Sequence, residues 1–225
     1  MYLDILQGVL DQNRRFIAKA ITHVENNTEL SSDLLSDIYK NTGKSYRIGI
    51  TGPPGAGKSS ITDKLINNIR KAGMTVGVIL IDPSSPFTGG AILGDRIRMI
   101  NHYNDESVFI RSMASRGSQG GLAQSTQGVS DILDAAGFDV IIFETVGVGQ
   151  VELDVIEASD TVIVVLVPES GDDIQIMKAG LMEIADIFAI NKSDRPGANK
   201  LYISIMNMLS IIPNDGYSWK PKLVK

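Results

Sequence analysis

The stretch TGPPGAGKSS at residues 51–60 holds the pattern G-x-x-x-x-G-K-S, as Gly52, Gly57, Lys58 and Ser59. Glycines here let backbone N–H groups turn inward around an anion, and a helix starting at the loop adds positive partial charge. Lys58 would reach the outer phosphates of a nucleotide, and the Ser59 hydroxyl would ligate Mg2+. Pro53, Pro54, Gly55, Ala56 and Ser60 complete the loop. The simpler alternative is a glycine-rich turn with no ligand. The complete pattern, set between an apolar run and a helical one, argues against it.

A second constellation is NKSD at 191–194. Guanine presents N1–H and N2–H2 side by side, and one carboxylate accepts both; adenine offers no such pair. Asp194 would therefore specify guanine, with the Lys192 stem along the purine face and Asn191 holding the loop. Alone, this motif reads as a solvated loop. Paired with a phosphate loop and placed directly after an apolar run, it selects GTP over ATP.

Three carboxylates complete the candidate chemistry. Asp82 ends the run VGVILID, Asp95 lies in TGGAILGDRIRM, and Glu144 ends FDVIIFE. Mg2+ takes a few protein oxygens plus water and phosphate oxygens. Ser59 with Asp82, Asp95 and Glu144 is therefore a candidate metal set, direct or through water. Asp82 could instead form an Asx-turn before Pro83, and Asp95 could cap a helix over 95–102. Glu144 opens the stretch ETVGVGQ, in which Gly147 could offer its N–H to a γ-phosphate. Gln150 lies three residues past Gly147, whereas the water-positioning glutamine of small signalling GTPases directly follows the corresponding glycine. It receives no catalytic role on that ground.

These loops need strands to carry them. Apolar runs at 46–51, 75–82, 107–112, 139–144, 161–167 and 187–191 read as strands covered on both faces. Helical spacing at 58–72, 122–136 and 172–184 alternates with them, which predicts a mostly parallel α/β sheet. In such sheets ligands sit at the carboxyl ends of the strands, where every residue named so far falls. The first 40 residues or so are helical instead. Leu3, Leu6 and Leu10 share one face, and Phe16, Ile17, Ala20, Ile21 and Val24 form a second stretch. Ser31, Ser32 and Asp33 offer N-cap chemistry for a third helix ending near Gly43. The expected division is a helical extension at 1–43 and a nucleotide-binding domain at 44–225.

Composition bounds the remaining options. The 225 residues carry a net charge of -5, which argues against a nucleic-acid surface. There is no cysteine, so disulfides, iron–sulfur clusters and thiolate zinc sites are excluded. His23 and His102 are the only imidazoles, too few and too distant in sequence for a typical transition-metal site. The N-terminus MYLDILQ lacks the basic start of a signal peptide, and VIVVLV is far too short to span a bilayer. The expected location is cytoplasmic, with no membrane partner.

Taken in order, the phosphate loop, DPSS with TGGAILGD, SRGSQGGL at 115–122, ETVGVGQ, GDDIQIMK at 171–178 and NKSD resemble the MeaB/ArgK/MMAA group of P-loop GTPases. The resemblance runs from RRFIAKAI near residue 14 to WKPK near the end. It implies a P-loop three-layer sandwich that binds GTP or GDP with Mg2+ and hydrolyses GTP slowly. It also implies a chaperone of an adenosylcobalamin-dependent acyl-CoA mutase, typically methylmalonyl-CoA mutase, gating cofactor loading or protecting the mutase. Carried over by position, Lys58 and Ser59 hold phosphate and Mg2+, Asp82 and Asp95 belong to the first switch and metal region, and Glu144 to Gln150 form the second switch; Lys58 and Glu144 are the catalytic candidates. Asp172, Gln175 and Lys178 match a segment that couples nucleotide state to the mutase. Val151 departs from the serine common in the family at that place. The family also continues past WKPKLVK into a strand, a further base-contacting loop and a C-terminal arm that forms a homodimer. On that comparison the chain reads as truncated, with LVK an unfinished, adhesive strand edge.

Two other functions stay open from the residues alone. A metal-insertion GTPase shares a related fold but carries Cys- or His-rich loading motifs, which this chain lacks. A non-hydrolysing nucleotide-binding scaffold is the other; a small-molecule kinase is a weaker reading, which NKSD disfavours. No arginine finger can be assigned among Arg96, Arg98, Arg111 and Arg116.

Overall fold

The computed structural model describes residues 2–82, 99, 101–114, 121–145, 158–169, 184–211 and 219–225. Three helices come first: α1 (Tyr2–Leu10), α2 (Arg14–Glu25) and α3 (Glu29–Tyr39). There follow β1 (Tyr46–Thr51), α4 (Lys58–Lys71), β2 (Val76–Asp82), β3 (Val108–Ala114), α5 (Gly121–Ala135) and β4 (Val140–Thr145). The rest are β5 (Thr161–Leu166), β6 (Ile187–Ile190), α6 (Ala198–Ile211) and β7 (Lys222–Val224). The expected strands appear within about two residues of their predicted bounds. The helices expected at 95–102 and 172–184 fall wholly or largely outside the described residues.

The strands form one sheet in the order β3-β2-β4-β1-β5-β6-β7, and every adjacent pair is parallel. Successive side chains of a strand point to opposite faces, and the apolar residues divide accordingly. On β4, Val140 and Ile142 join the cluster under α4, while Ile141 and Phe143 join the one under α5 and the N-terminal helices. On β5, Val162, Val164 and Leu166 pack with α6, whereas Val165 packs on the α4 side. Helices thus cover both faces, and the three-layer α/β sandwich expected from the sequence is the fold. Each fully buried Ile, Leu or Phe in these layers stabilises by about 1.5–3 kcal/mol.

Two N-terminal details differ from the expectation. Leu3 is 71% exposed, and α1 buries Ile5, Gly8 and Val9 instead. Gly8 sets that rotation: a Cβ there would lie 2.3 Å from Phe16 Cγ, so only glycine lets α2 approach so closely. The cap of α3 is Thr28, in extended conformation, so Ser31, Ser32 and Asp33 lie inside the helix. Ser31 Oγ donates back to the Thr28 carbonyl at 2.6 Å. The helix stops at Tyr39 and not near Gly43, because the chain beyond is claimed by another group. The Asp134 carboxylate on α5 accepts the backbone N–H of Gly43 at 2.8 Å, and those of Lys44 and Ser45 at 3.1 Å. Arg47 of β1 joins it at 3.2 Å and reaches Asp131 at 2.8 Å.

β7 pairs in parallel with β6, so among the described residues KLV is the outermost strand on that side of the sheet. Its three residues include Lys222, a charge of the kind that discourages further pairing at an edge.

Candidate functional site

The register brings the carboxyl ends of the central strands level. Ile50 of β1 pairs with Glu144 of β4, Thr51 pairs with Val164 of β5, and Leu166 of β5 pairs with Ile190 of β6. The phosphate loop leaves β1, Glu144 stands beside it, and NKSD leaves β6 on the other flank. Next to the loop, the buried Thr145 donates its hydroxyl to Thr51 at 3.2 Å.

Two glycines of the loop are required by geometry. Gly52 has φ 136°, and a Cβ there would lie 2.1 Å from the Val165 carbonyl oxygen. Gly57 has φ 91°, and a Cβ there would lie 2.2 Å from Asn191 Nδ2. Gly57 is also the N-cap of α4, in left-handed conformation and with no side-chain cap. The N–H groups of that first turn are the ones a phosphate would take. Lys58 is buried, and its Nζ donates to the carbonyls of Gly52 at 2.7 Å and Pro53 at 3.0 Å. The lysine is thus held over its own loop.

Glu144 is 3% exposed and sits against the same helix. Ser59 Oγ donates to its Oε1 at 2.5 Å, and Thr62 Oγ1 to its Oε2 at 2.5 Å. The structure therefore joins two predicted residues, Ser59 and Glu144, and adds Thr62. The sequence carried a signal for it: Ser59 and Thr62 are one turn apart and share a helix face.

The guanine-type loop is fastened to the phosphate loop. Asn191 Nδ2 donates to the Ala56 carbonyl, and Lys192 Nζ to the Gly55 carbonyl, each at 2.8 Å. Lys192 adopts φ 53°, a strained conformation for a lysine that these contacts hold in place. Asp194 is exposed. The next residue, Arg195, pairs with Glu169; its guanidinium holds the Glu169 carboxyl below its ordinary range, and that carboxylate raises the arginine in turn.

Several predicted residues are not placed. Asp82 ends β2, which lies beside β4, but its side chain is outside the described residues, as are Asp95, Gly147, Gln150, Asp172, Gln175 and Lys178. Arg96, Arg98 and Arg116 lie outside them too. Arg111 is described, and it is committed to α2, with Nη2 2.5 Å from Glu25 Oε2 and 3.3 Å from Thr22 Oγ1. Among the described residues, no group of three or more His, Cys, Asp or Glu converges as a metal nest. None of the described helices is long and apolar enough to cross a membrane.

Comparison with known proteins agrees with this geometry. The family described as "Methylmalonyl Co-A mutase-associated GTPase MeaB" matches residues 17–225. A Pyrococcus abyssi protein named as a GTPase is 53% identical over 225 residues, covering 99% of this chain and 69% of the relative. The GTPase ArgK of Escherichia coli is 40% identical, over 94% of this chain and 66% of its own length. The methylmalonic aciduria type A homolog of Mus musculus is 33% identical, over 97% and 57%. Among solved structures, the LAO/AO transport system kinase superposes with a TM-score of 0.76 at 30% identity, covering 99% of this chain and 68% of that one. The hydrogenase maturation factor HypB of Archaeoglobus fulgidus shares the fold, with a TM-score of 0.56 at 17% identity.

Proposed function

We propose a function from one premise: the chain belongs to the MeaB family of methylmalonyl-CoA mutase-associated GTPases. It is a GTPase, and on our reading it serves as a chaperone of an adenosylcobalamin-dependent acyl-CoA mutase of the methylmalonyl-CoA mutase type. In that role its nucleotide state gates cofactor loading or protects the mutase. The observation that most supports the nucleotide part of this reading is the bond from Asn191 to Ala56, which ties the proposed base loop to the phosphate loop. Residues 1–43 would be a helical extension of the nucleotide domain at 44–225, in a cytoplasmic protein that forms a homodimer.

The chemistry follows from the parts. On GTP binding, Lys58 exchanges the neutral Gly52 and Pro53 carbonyl acceptors for anionic phosphate oxygens. The N–H groups at the start of α4 take the remaining phosphate charge. Asp194 accepts the guanine N1–H and N2–H2, and Lys192 lies along the base. The oxygen donors of Ser59 and Glu144 suit a hard cation such as Mg2+, with Asp82 and Asp95 as further candidates. When bound, that cation would neutralise charge on the β- and γ-phosphates. In the arrangement here both Glu144 oxygens are taken by α4 hydroxyls, so Glu144 acts through Ser59. Water attacks the γ-phosphorus, the bond to the β–γ bridging oxygen breaks, and GDP and phosphate leave. Gly147 and Gln150 would sense the loss of the γ-phosphate, and Asp172, Gln175 and Lys178 would pass it to the mutase.

A slow intrinsic rate is expected from the family resemblance, and Arg111, one of the four arginines considered, is held by α2 instead. Single-turnover GTP hydrolysis, with and without a cobalamin-dependent acyl-CoA mutase, tests the coupling. A change in rate or in nucleotide affinity supports it. If the mutase moves neither, the chaperone reading fails.

A further inference from the structure

Thr62 stands in the site without a role in nucleotide contact. It is fully buried on α4 and one turn beyond Ser59. A threonine hydroxyl has one proton to give. Two acceptors lie within reach, the Lys58 carbonyl at 3.1 Å and Glu144 Oε2 at 2.5 Å. The shorter contact, to the carboxylate, is the charge-assisted one and takes the proton.

The consequence lies in the carboxylate's freedom. Strand pairing with Ile50 fixes the backbone of Glu144, but the terminal torsion of a glutamate is broad and roughly two-fold. Ser59 holds Oε1, the atom about which the carboxylate would pivot. Ser59 and Thr62 together grip one oxygen each and fix the plane.

We propose that Thr62 is a positioning residue: it locks Glu144 so that Oε1 stays on Ser59, and so sets how firmly the Ser59 side of the site holds metal-bound nucleotide. The proposal rests on the reading of Ser59 as the residue that faces Mg2+. Thr62 acts through Glu144 and touches neither nucleotide nor metal.

The test is a Mg2+ titration of fluorescent GDP and GTP binding to the full chain, beside melting of the nucleotide-free protein. Thr62→Val keeps the shape and removes the donor, while Thr62→Ser returns it. Thr62→Val should raise the Mg2+ concentration for half-maximal nucleotide retention about tenfold or more, as losing a partner behind a metal ligand commonly does. It should lower kcat and leave the KM for GTP at saturating Mg2+ nearly unchanged. Thr62→Ser should return the metal dependence to near wild type. Should Thr62→Val not fold, Thr62→Ala replaces it with the same expectation. A donor-free variant with wild-type Mg2+ dependence overturns the proposal, and so does a folded Thr62→Ser that fails to restore it. A wild-type protein whose nucleotide binding ignores Mg2+ overturns the metal reading of Ser59 and this proposal with it. Mg2+-dependent wild-type binding combined with an indifferent Thr62→Val overturns this proposal alone.

Discussion

Asn191 Nδ2 donates to the Ala56 carbonyl at 2.8 Å, tying the loop that follows β6 to the loop that follows β1. Lys192 repeats the link one residue on, at Gly55. The two loops proposed to hold base and phosphate are therefore fastened to each other. Asn191→Ala removes a hydrogen bond worth about 0.5–1.5 kcal/mol, which corresponds to about a two- to tenfold loss of GTP affinity. Calorimetric titration checks it, and GDP should be released faster by a similar factor.

The two constrained glycines should fail in different ways. At Gly52 an added Cβ meets the backbone carbonyl of Val165, which cannot swing aside, and φ is unfavourable as well. Gly52→Ala should cost about 1–3 kcal/mol or more, lowering the melting temperature by several degrees even without nucleotide. At Gly57 the Cβ meets the end of the Asn191 side chain, which can turn away. Gly57→Ala should melt closer to wild type and lose nucleotide affinity instead. Melting curves and titration of both variants separate the two effects.

Asp134 predicts an acid-sensitive anchor for the N-terminal helices. Burial pushes its carboxyl up, but the N–H groups of Gly43, Lys44 and Ser45 and the Arg47 guanidinium outweigh that and hold it below the ordinary range. A depressed folded pKa means that the unfolded chain takes up the proton first as pH falls. The stabilisation is complete above the unfolded value of about 3.9 and is lost as pH drops toward the folded one. Asp134→Asn should flatten the fall in melting temperature below about pH 4–5, while lowering stability at neutral pH. Asp134→Ala, which leaves three N–H groups without their acceptor and Arg47 with Asp131 alone, should cost about 1–3 kcal/mol or more.

Much of this molecule was legible before the fold was seen, and the rest was hidden for physical reasons. The strands announced themselves because a run such as VIIF must be apolar on both faces when helices cover both. The phosphate and guanine motifs were legible because their chemistry is local to a few residues. The rotation of α1 was not, because 3-6-10 and 5-8-9 both satisfy a helical period and only the Gly8–Phe16 approach decides between them. The end of α3 was hidden in Asp134, about ninety residues away in sequence. Helix α6 went unassigned although Ala198, Leu201, Ile205 and Leu209 carry its buried stripe. Thr62 looked like an ordinary helix residue until β4 placed Glu144 against it.

The measurement closest to the central claim, that two loops make one guanine-nucleotide site, is equilibrium competition of GTP and ATP for wild type and Asp194→Ala. Wild type should retain labelled GTP against a large excess of ATP. Asp194→Ala, still folded, should bind the two nucleotides about equally and GTP more weakly than wild type does. Equal competition by ATP and GTP in the wild-type protein, or an Asp194→Ala variant that keeps full guanine preference, would contradict it.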